Sequence, residues 1–311
     1  MSTAIIGAGI AGLACADALG GPAGDVRMFD KARGPGGRMS TRRVEIDGVM
    51  TGFDHGAQYF TARDPAFVAR VGAWAGAGIV ARWPVAGDDA WVGTPAMNAP
   101  VRALAATQQV AWSTQVTALA RDGNGWRLTC ADGTQTGAFD RIVVALPAEQ
   151  AAALLADVAS DLAERAEAVP SEPCWTVMAA FAAPLPLPDV LRDRGEIGWA
   201  ARNSAKPGRG PIETWVIQGS PAWSRAWIEA EGAAVADHLR AALAGLAATP
   251  LPLALHVAAH RWRYARSGNA GVGAVWDSAR RIGLCGDWLA GPRVEAAWRS
   301  GTQLAALMAA A

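Results

Sequence analysis

Cysteine is scarce in this sequence: Cys15, Cys130, Cys174 and Cys285 stand far apart, with no CxxC pair among them. That spacing provides neither a zinc site nor a redox dithiol, so reduced thiols, no disulfide, no metal and a cytoplasmic setting are expected. Excess charge of either sign is also lacking, because 28 Lys and Arg balance 28 Asp and Glu. Nucleic acid and anionic membrane surfaces are therefore not the expected partners; a small molecule is. No apolar run reaches membrane-spanning length without a glycine, proline or charge, so no membrane span is expected. The opening stretch, Met1 to Gly20, is apolar but has no basic start and carries regularly spaced glycines. It is expected to be folded structure rather than a signal peptide. Tyrosine occurs only twice, as Tyr59 and Tyr264.

What is present is a long and apolar chain. Its 311 residues, 51% of them hydrophobic, are enough for two domains with sizeable cores. Fourteen tryptophans are expected mostly to fill those cores and the seam between them. At the amino terminus a short apolar run, Thr3 to Ile6, leads into Gly7, Gly9 and Gly12, and residues Leu13 to Leu19 continue as a helix. This strand, glycine turn and helix fit a dinucleotide cradle. Gly7 permits the tight turn, Gly9 lets backbone approach a pyrophosphate, and Gly12 lets helix and strand pack closely. A second strand, Val26 to Phe29, ends in Asp30, placed where such folds need an acceptor for the adenosine ribose. Without a ligand, the same pattern reads as a glycine turn and a solvated strand end.

A second glycine cluster, Arg33 to Arg38, follows where an NAD-binding unit would start a helix. It resembles the RxGGR element of the amine-oxidase-like flavoproteins, and two glycine motifs in this order point to FAD rather than NAD. The bland alternative is a flexible basic loop. Residues Val110 to Cys130 alternate and turn at Asp122 to Gly125, and Asp132 with Gly133 marks another turn, as in an antiparallel meander. Arg141 to Leu146 form a buried strand closed by Pro147. Helical stretches at Gln150 to Ala168 and Ala230 to Ala247, with strand-like pieces at Trp175 to Phe181, Glu213 to Gln218 and Leu253 to Ala258, suggest a second sheet with helices over it. Near the carboxyl terminus Ile282 to Cys285 read as a strand, Gly286 and Asp287 end it, and Val294 to Met308 read as a helix.

Five segments carry a more specific resemblance: Phe29 to Arg43, Asp54 to Asp64, Ala201 to Arg209, His260 to Arg266 and Cys285 to Gly301. Together they resemble the renalase family, particularly its bacterial members. That resemblance implies an α/β fold. A Rossmann-like FAD-binding domain of the p-hydroxybenzoate hydroxylase and amine-oxidase type, from residues 1–60, 95–160 and 268–311, would carry a second, α+β substrate domain from 61–94 and 161–267. It implies noncovalent FAD held by Gly7, Gly9, Ile10, Ala11, Gly12, Asp30, Lys31, Gly37, Arg38, Met39, Ala57, Gln58, Val116, Gly286, Asp287, Arg293, Val294 and Ala297. Arg38 would lie along the pyrophosphate and Asp287 would accept from the ribityl chain, while the start of the last helix would aim its amides at the pyrimidine edge of the flavin. The implied reaction oxidises dihydronicotinamide dinucleotides whose hydride sits on ring carbon 2 or 6, giving NAD(P)+, with electrons passed to O2 to make H2O2.

In this resemblance Tyr59, Trp288 and Trp262 are candidate walls for the nicotinamide, and Gln58, Asn203 and His260 candidate partners for its carboxamide. His260 reads equally as a core histidine, Asn203 and Lys206 as a surface turn, and Arg42, Arg43 and Arg209 as phosphate readers or solvated charges. Glu295 suits the first turn of the last helix for dipole reasons. Ala296 stands where bacterial relatives usually carry glycine, which touches the close packing of that helix. Two other readings stay open: an amine oxidase or desaturase on the same scaffold, and a catalytically silent FAD-binding module. With only two tyrosines and no evident covalent flavin cysteine, the amine oxidase is the less favoured enzyme.

Overall fold

A computed structural model describes the whole chain, Met1 to Ala311. Its first sheet grows from the amino-terminal apolar run. Thr3–Ile6 is wholly buried and has parallel neighbours on both sides, Arg141–Val144 and Val26–Phe29. A parallel strand covered on both faces can be continuously apolar, which is why these runs show no alternation. Ile282–Leu284 adds in parallel beside Arg141–Val144. Val275–Asp277 closes that edge antiparallel, and Val110–Ala111 closes the other. The sheet thus gathers six strands from across the chain and directs the ends of Thr3–Ile6 and Ile282–Leu284 toward the same region.

One face of this sheet is covered by the helices Ile10–Ala18 and Val294–Ala309, which cross where Gly301 lies against the first helix. A Cβ at Gly301 would stand 2.1 Å from the Ala11 carbonyl oxygen, so only glycine fits. Ala296 is buried and accommodated; the close approach occurs at Gly301. The other face is covered by the meander Val116–Asp122, Gly125–Cys130 and Gln135–Phe139 and by two short helices, Ala148–Leu155 and Ser160–Glu167. The expected single helix over 150–168 is broken between these two. The second doubles back, so that Leu154, Leu155, Leu162 and Ala166 all enter one core. Helix Ser160–Glu167 therefore packs with the nucleotide unit. Residues 61–94, expected with the substrate domain, do the same: Phe67, Val71, Trp74, Val80 and Trp83 share a core with Leu13, Met28 and Leu304.

The second unit is a five-stranded antiparallel sheet in the order Val190–Arg194, Ile197–Arg202, Glu213–Gly219, Glu172–Phe181, Ala254–Arg266. The last strand is twice the length expected from the apolar alternation, because His260 and Trp262 continue it as partners of Thr176 and Cys174. Helix Gly232–Ala247 covers one face, where Trp175, Val177, Ile217 and Trp215 meet Val235, Leu239 and Leu243. Alternation turns Cys174, Thr176, Met178 and Ala180 to the opposite face. There Met178, Ala180 and Val216 pack on Ile46 and Phe53 of the hairpin Arg42–Ile46, Val49–Phe53. No helix is long and apolar enough to cross a membrane.

The helix crossing gives a direct prediction. Gly301→Ala should destabilise the protein by about 1–3 kcal/mol through overpacking. Denaturant unfolding midpoints would show it, and an unchanged midpoint would mean that the crossing relaxes freely.

Candidate active site

The two glycine loops face each other at the end of the first sheet. Gly7 has φ +104°, and a Cβ there would meet the Ala145 carbonyl oxygen at 2.5 Å; one on Gly12 would meet the Gly7 carbonyl oxygen at 2.1 Å. These two glycines let strand and helix touch. Gly9 differs, since a Cβ there would find nothing within 4 Å, and the nearest atom to one on Gly37 is the Gly9 Cα at 3.7 Å. Bare backbone therefore lines an open cradle. The helix starting at Ile10 has no side-chain cap and no acid in its first turn, so its leading amides and dipole are available to an anion. Asp30 completes this end. Its Oδ2 accepts from the Ala8 amide and its Oδ1 from the Ala32 amide, both at 2.7 Å, which fixes the carboxylate and leaves lone pairs for a ribose diol. This donor set fits the adenosine diphosphate half of FAD. Ile10, Ala11, Met39 and Ala57 line the same space. Lys31 is exposed beside Asp30, and Val116 is buried in the core behind the sheet, paired with Cys130, not on the cavity wall.

At the other end stand Gly286, Asp287, Arg293, Val294 and Ala297, all on the cavity wall. Arg38 and Asp287 form a two-pronged ion pair across it, at 2.8 and 2.6 Å, and Ser267 Oγ donates to the same carboxylate at 2.8 Å. The residues expected to serve different parts of the cofactor are thus held together as one unit. The last helix opens toward the cavity without a side-chain cap at Arg293. Glu295 turns away from it: buried, its carboxylate accepts the Arg63 and Asp64 amides, each at 2.6 Å, and fixes the chain that carries Tyr59 and Phe60 into the wall.

Between these ends the cavity, about 650 Å³, continues beneath the second sheet. Tyr59 and Trp199 face it as a tilted aromatic pair with ring centres 5.4 Å apart. Trp262 also lines it, held by its indole N–H on the His55 carbonyl at 2.8 Å. Cys174, Gln218 and Arg266 complete the roof. Trp199 and Gln218 are register partners on adjacent strands, and neither was anticipated from the sequence. A signal for them existed in the alternation of Glu213–Gly219, but which neighbour each strand would take was not readable.

Four expected substrate contacts are placed differently. Trp288 is fully buried in the core, because the tight turn Asp287–Leu289 directs it under the sheet, where its indole donates to the Leu146 carbonyl at 3.2 Å. Asn203 is buried as a brace: Nδ2 donates to the Gly52 carbonyl at 2.9 Å and Oδ1 accepts from the Asp54 amide at 3.2 Å. His260 stands edge-on to His55 and Trp262, behind the wall formed by Trp262. Gln58 does line the cavity, but its amide is occupied. Nε2 donates to the Asp54 and Gly56 carbonyls, and Oε1 accepts from Lys206 at 3.1 Å.

Lys206 and Arg209, read as a surface turn or solvated charge, are instead buried beside Asp54. Both cations reach Asp54 Oδ2, and Oδ1 accepts from Thr41 at 2.7 Å and the Met97 amide at 3.0 Å. Burial alone would raise the Asp54 pKa, but the charges of Lys206 and Arg209 and the hydrogen bonds of Arg209 and Thr41 hold it well below the usual carboxylate range. Lys206 moves the other way for an ammonium: burial, with the like charge of Arg209, outweighs Asp54 and lowers it to about 8. One anion thus serves two cations, and only the lysine can shed the excess charge. The wall itself carries no histidine. Burial pushes the Cys174 thiol up to about 11, and burial with the charges of His260 and Arg42 brings His55 down to about 4.

Comparison with known proteins agrees with this geometry. Residues 82–309 match the family described as flavin containing amine oxidoreductase, and residues 5–71 match the NAD(P)-binding Rossmann-like domain. Among solved structures, the chain is similar to a provisionally named protoporphyrinogen oxidase from Exiguobacterium sp. 255-15, with TM-score 0.76 and 12% identity over 99% of this chain and 98% of that one. It is similar to putrescine oxidase bound to putrescine, with TM-score 0.69 and 14% identity over 100% and 99% of the two chains. Cyclohexylamine oxidase from Brevibacterium oxydans IH-35A gives TM-score 0.65 and 13% identity over 99% and 98%. At these identities the likeness speaks for the fold.

Asp30→Ala should weaken FAD binding by about 1.5–3 kcal/mol, the loss of a charged acceptor, or roughly ten- to hundredfold in Kd. Titration of the apoprotein with FAD measures this, and an unchanged Kd would remove Asp30 from the cradle.

Proposed function

The chain belongs to the flavin containing amine oxidoreductase family and is an FAD-dependent oxidoreductase, and from that premise we propose that it is an oxidase of dihydronicotinamide dinucleotides carrying their hydride ortho to the ring nitrogen. The observation that carries this reading is the pairing of a flat aromatic slot with an arginine-bearing mouth. Tyr59, Trp199 and Trp262 offer planar surfaces to a planar ring, next to the amide of Gln218. Of the charged residues around them, Glu172 is paired with Arg225, Arg63 with Asp89 and Asp287 with Arg38, while Arg266 and Arg293 have no carboxylate partner and outnumber the one unpaired acid, Asp193. Such a mouth suits a diphosphate better than an alkylammonium.

When bound, FAD supplies the two-electron oxidant and passes those electrons to O2, giving H2O2. The chain's own task is positioning. A dihydropyridine that loses hydride becomes an aromatic cation, and no proton needs to move to or from the wall. This agrees with a wall whose thiol is pushed up to about 11 by burial, and beside which burial and the charge of Arg42 lower both His55 and His260. Tyr59 and Trp199, packed on each other, form one joined aromatic surface that covers a face of the ring and sets its plane, and Arg266 holds the distal phosphates at the mouth. A second reading keeps one specific observation: the same aromatic pair could flank a neutral amine, as expected of an amine oxidase.

Anaerobic stopped-flow absorbance separates the two. The ortho isomers should bleach the flavin rapidly, with the ordinary para isomer slower by on the order of a hundredfold because its hydride is displaced by about 1 Å or more from the reactive pose. Each dinucleotide oxidised in air should yield one peroxide. Rapid bleaching by amines with indifference to the ortho isomers would establish amine oxidation instead.

A further inference from the structure

The cavity contains one polar side chain that the fold orients but does not use up. Gln218 projects from the middle of Glu213–Gly219, opposite Trp199 on one side and Thr176 on the other. Its Nε2 donates to the Gly56 carbonyl at 2.8 Å, and that carbonyl also accepts from Gln58 Nε2 at 3.1 Å. The Gly56 backbone is held in place because the next amide, Ala57 N–H, donates to the Arg38 carbonyl at 2.8 Å. Turning the Gln218 amide over would set its oxygen against the Gly56 oxygen, so the amide is locked with nitrogen toward Gly56. Its Oε1 has no donor from the protein, and the residue lines the cavity beside the Tyr59–Trp199 pair. The other amides near the cavity are committed: Gln58 to Lys206, Asp54 and Gly56, and Asn203 to Gly52 and Asp54.

We infer that Gln218 is the residue that reads the substrate's carboxamide, its fixed Oε1 accepting a carboxamide N–H while Trp199 and Tyr59 hold the ring. This rests on the dihydronicotinamide reading above and adds to it a choice between amide and acid. A carboxamide brings the donor that the waiting oxygen lacks. A nicotinic acid carboxylate brings only acceptors, so that two oxygens would face each other. The enzyme should therefore reject the nicotinic acid dinucleotide although its ring, sugars and phosphates are the same.

The test uses the FAD-loaded enzyme and two oxidised ligands, NAD+ and its nicotinic acid counterpart, with binding read from the perturbed flavin spectrum and from calorimetry. The wild type should prefer NAD+ by about tenfold or more. Gln218→Leu should erase that preference, whereas Gln218→Glu should keep it, because an acceptor remains and now also repels a carboxylate. A merely structural role would weaken both ligands alike and leave their ratio intact. If the leucine variant does not retain flavin, Gln218→Met takes its place. Equal affinity of the wild type for both ligands, or a ratio that survives in the leucine variant, overturns the assignment while leaving reduction by the ortho isomers untouched. If neither dinucleotide binds and no ortho isomer reduces the flavin, the dihydronicotinamide reading falls and Gln218 loses this role with it.

Discussion

The carboxylate of Asp54 is the point on which the architecture of the site turns. It has no exposure to solvent, and it binds four groups from three separate stretches of chain: Thr41 beyond the second glycine loop, the Met97 amide, and Lys206 and Arg209 from the loop that leaves the five-stranded sheet. A lone buried carboxylate would be prohibitively costly, and so would either cation without it. The three are stable only together, which ties the substrate sheet to the nucleotide unit at a fixed position. The residues following Asp54 inherit that position. Lys206 fixes the oxygen of Gln58, Gln58 and Gln218 together saturate the carbonyl of Gly56, and Tyr59 enters the wall against Trp199. An ion cluster that never touches the cavity thereby decides what its surface presents.

The cofactor cradle was the most legible part of the sequence because it is local. Gly7, Gly9, Gly12 and Asp30 act within one strand-turn-helix-strand unit, so their spacing alone states the geometry. The carboxyl-terminal strand and helix were legible for the same reason. The substrate face was not, because it is assembled from strand register. Trp199 and Gln218 become neighbours only once Ile197–Arg202 pairs with Glu213–Gly219. Trp288 was misplaced because a single tight turn decides which way its indole points. Lys206 and Arg209 looked like solvent-exposed charge since their counterion, Asp54, lies some 150 positions earlier. That residues 61–94 pack on the core of Leu13, Met28 and Leu304 is not legible either, because apolar helical spacing reports that a face is buried and not against which core.

Within this framework the division of labour is simple. The first unit offers backbone amides, the fixed carboxylates of Asp30 and Asp287, Tyr59 and Arg293, and the second offers the rings of Trp199 and Trp262, one oriented amide and Arg266. Neither places a histidine on the wall, as suits a reaction in which the substrate itself stabilises the positive charge left by hydride loss. The glycines allow the close approach and the buried ions prevent sliding. Both are needed for a slot whose usefulness depends on the position of a ring to within about 1 Å.

The most direct measurement is equilibrium denaturation of Asp54→Asn beside the wild type, with flavin content followed in parallel. The asparagine keeps the shape but leaves two buried cations without their anion, so unfolding free energy near neutral pH should fall by about 3–5 kcal/mol. The sign of the pH dependence follows from the depressed carboxyl. Its stabilisation in the wild type is complete above the unfolded value of 3.8 and is lost as the pH falls below it, a component that the variant should lack. A variant as stable as the wild type, with its flavin retained and the same acid limb, would contradict the view that this buried cluster holds the two halves of the site together.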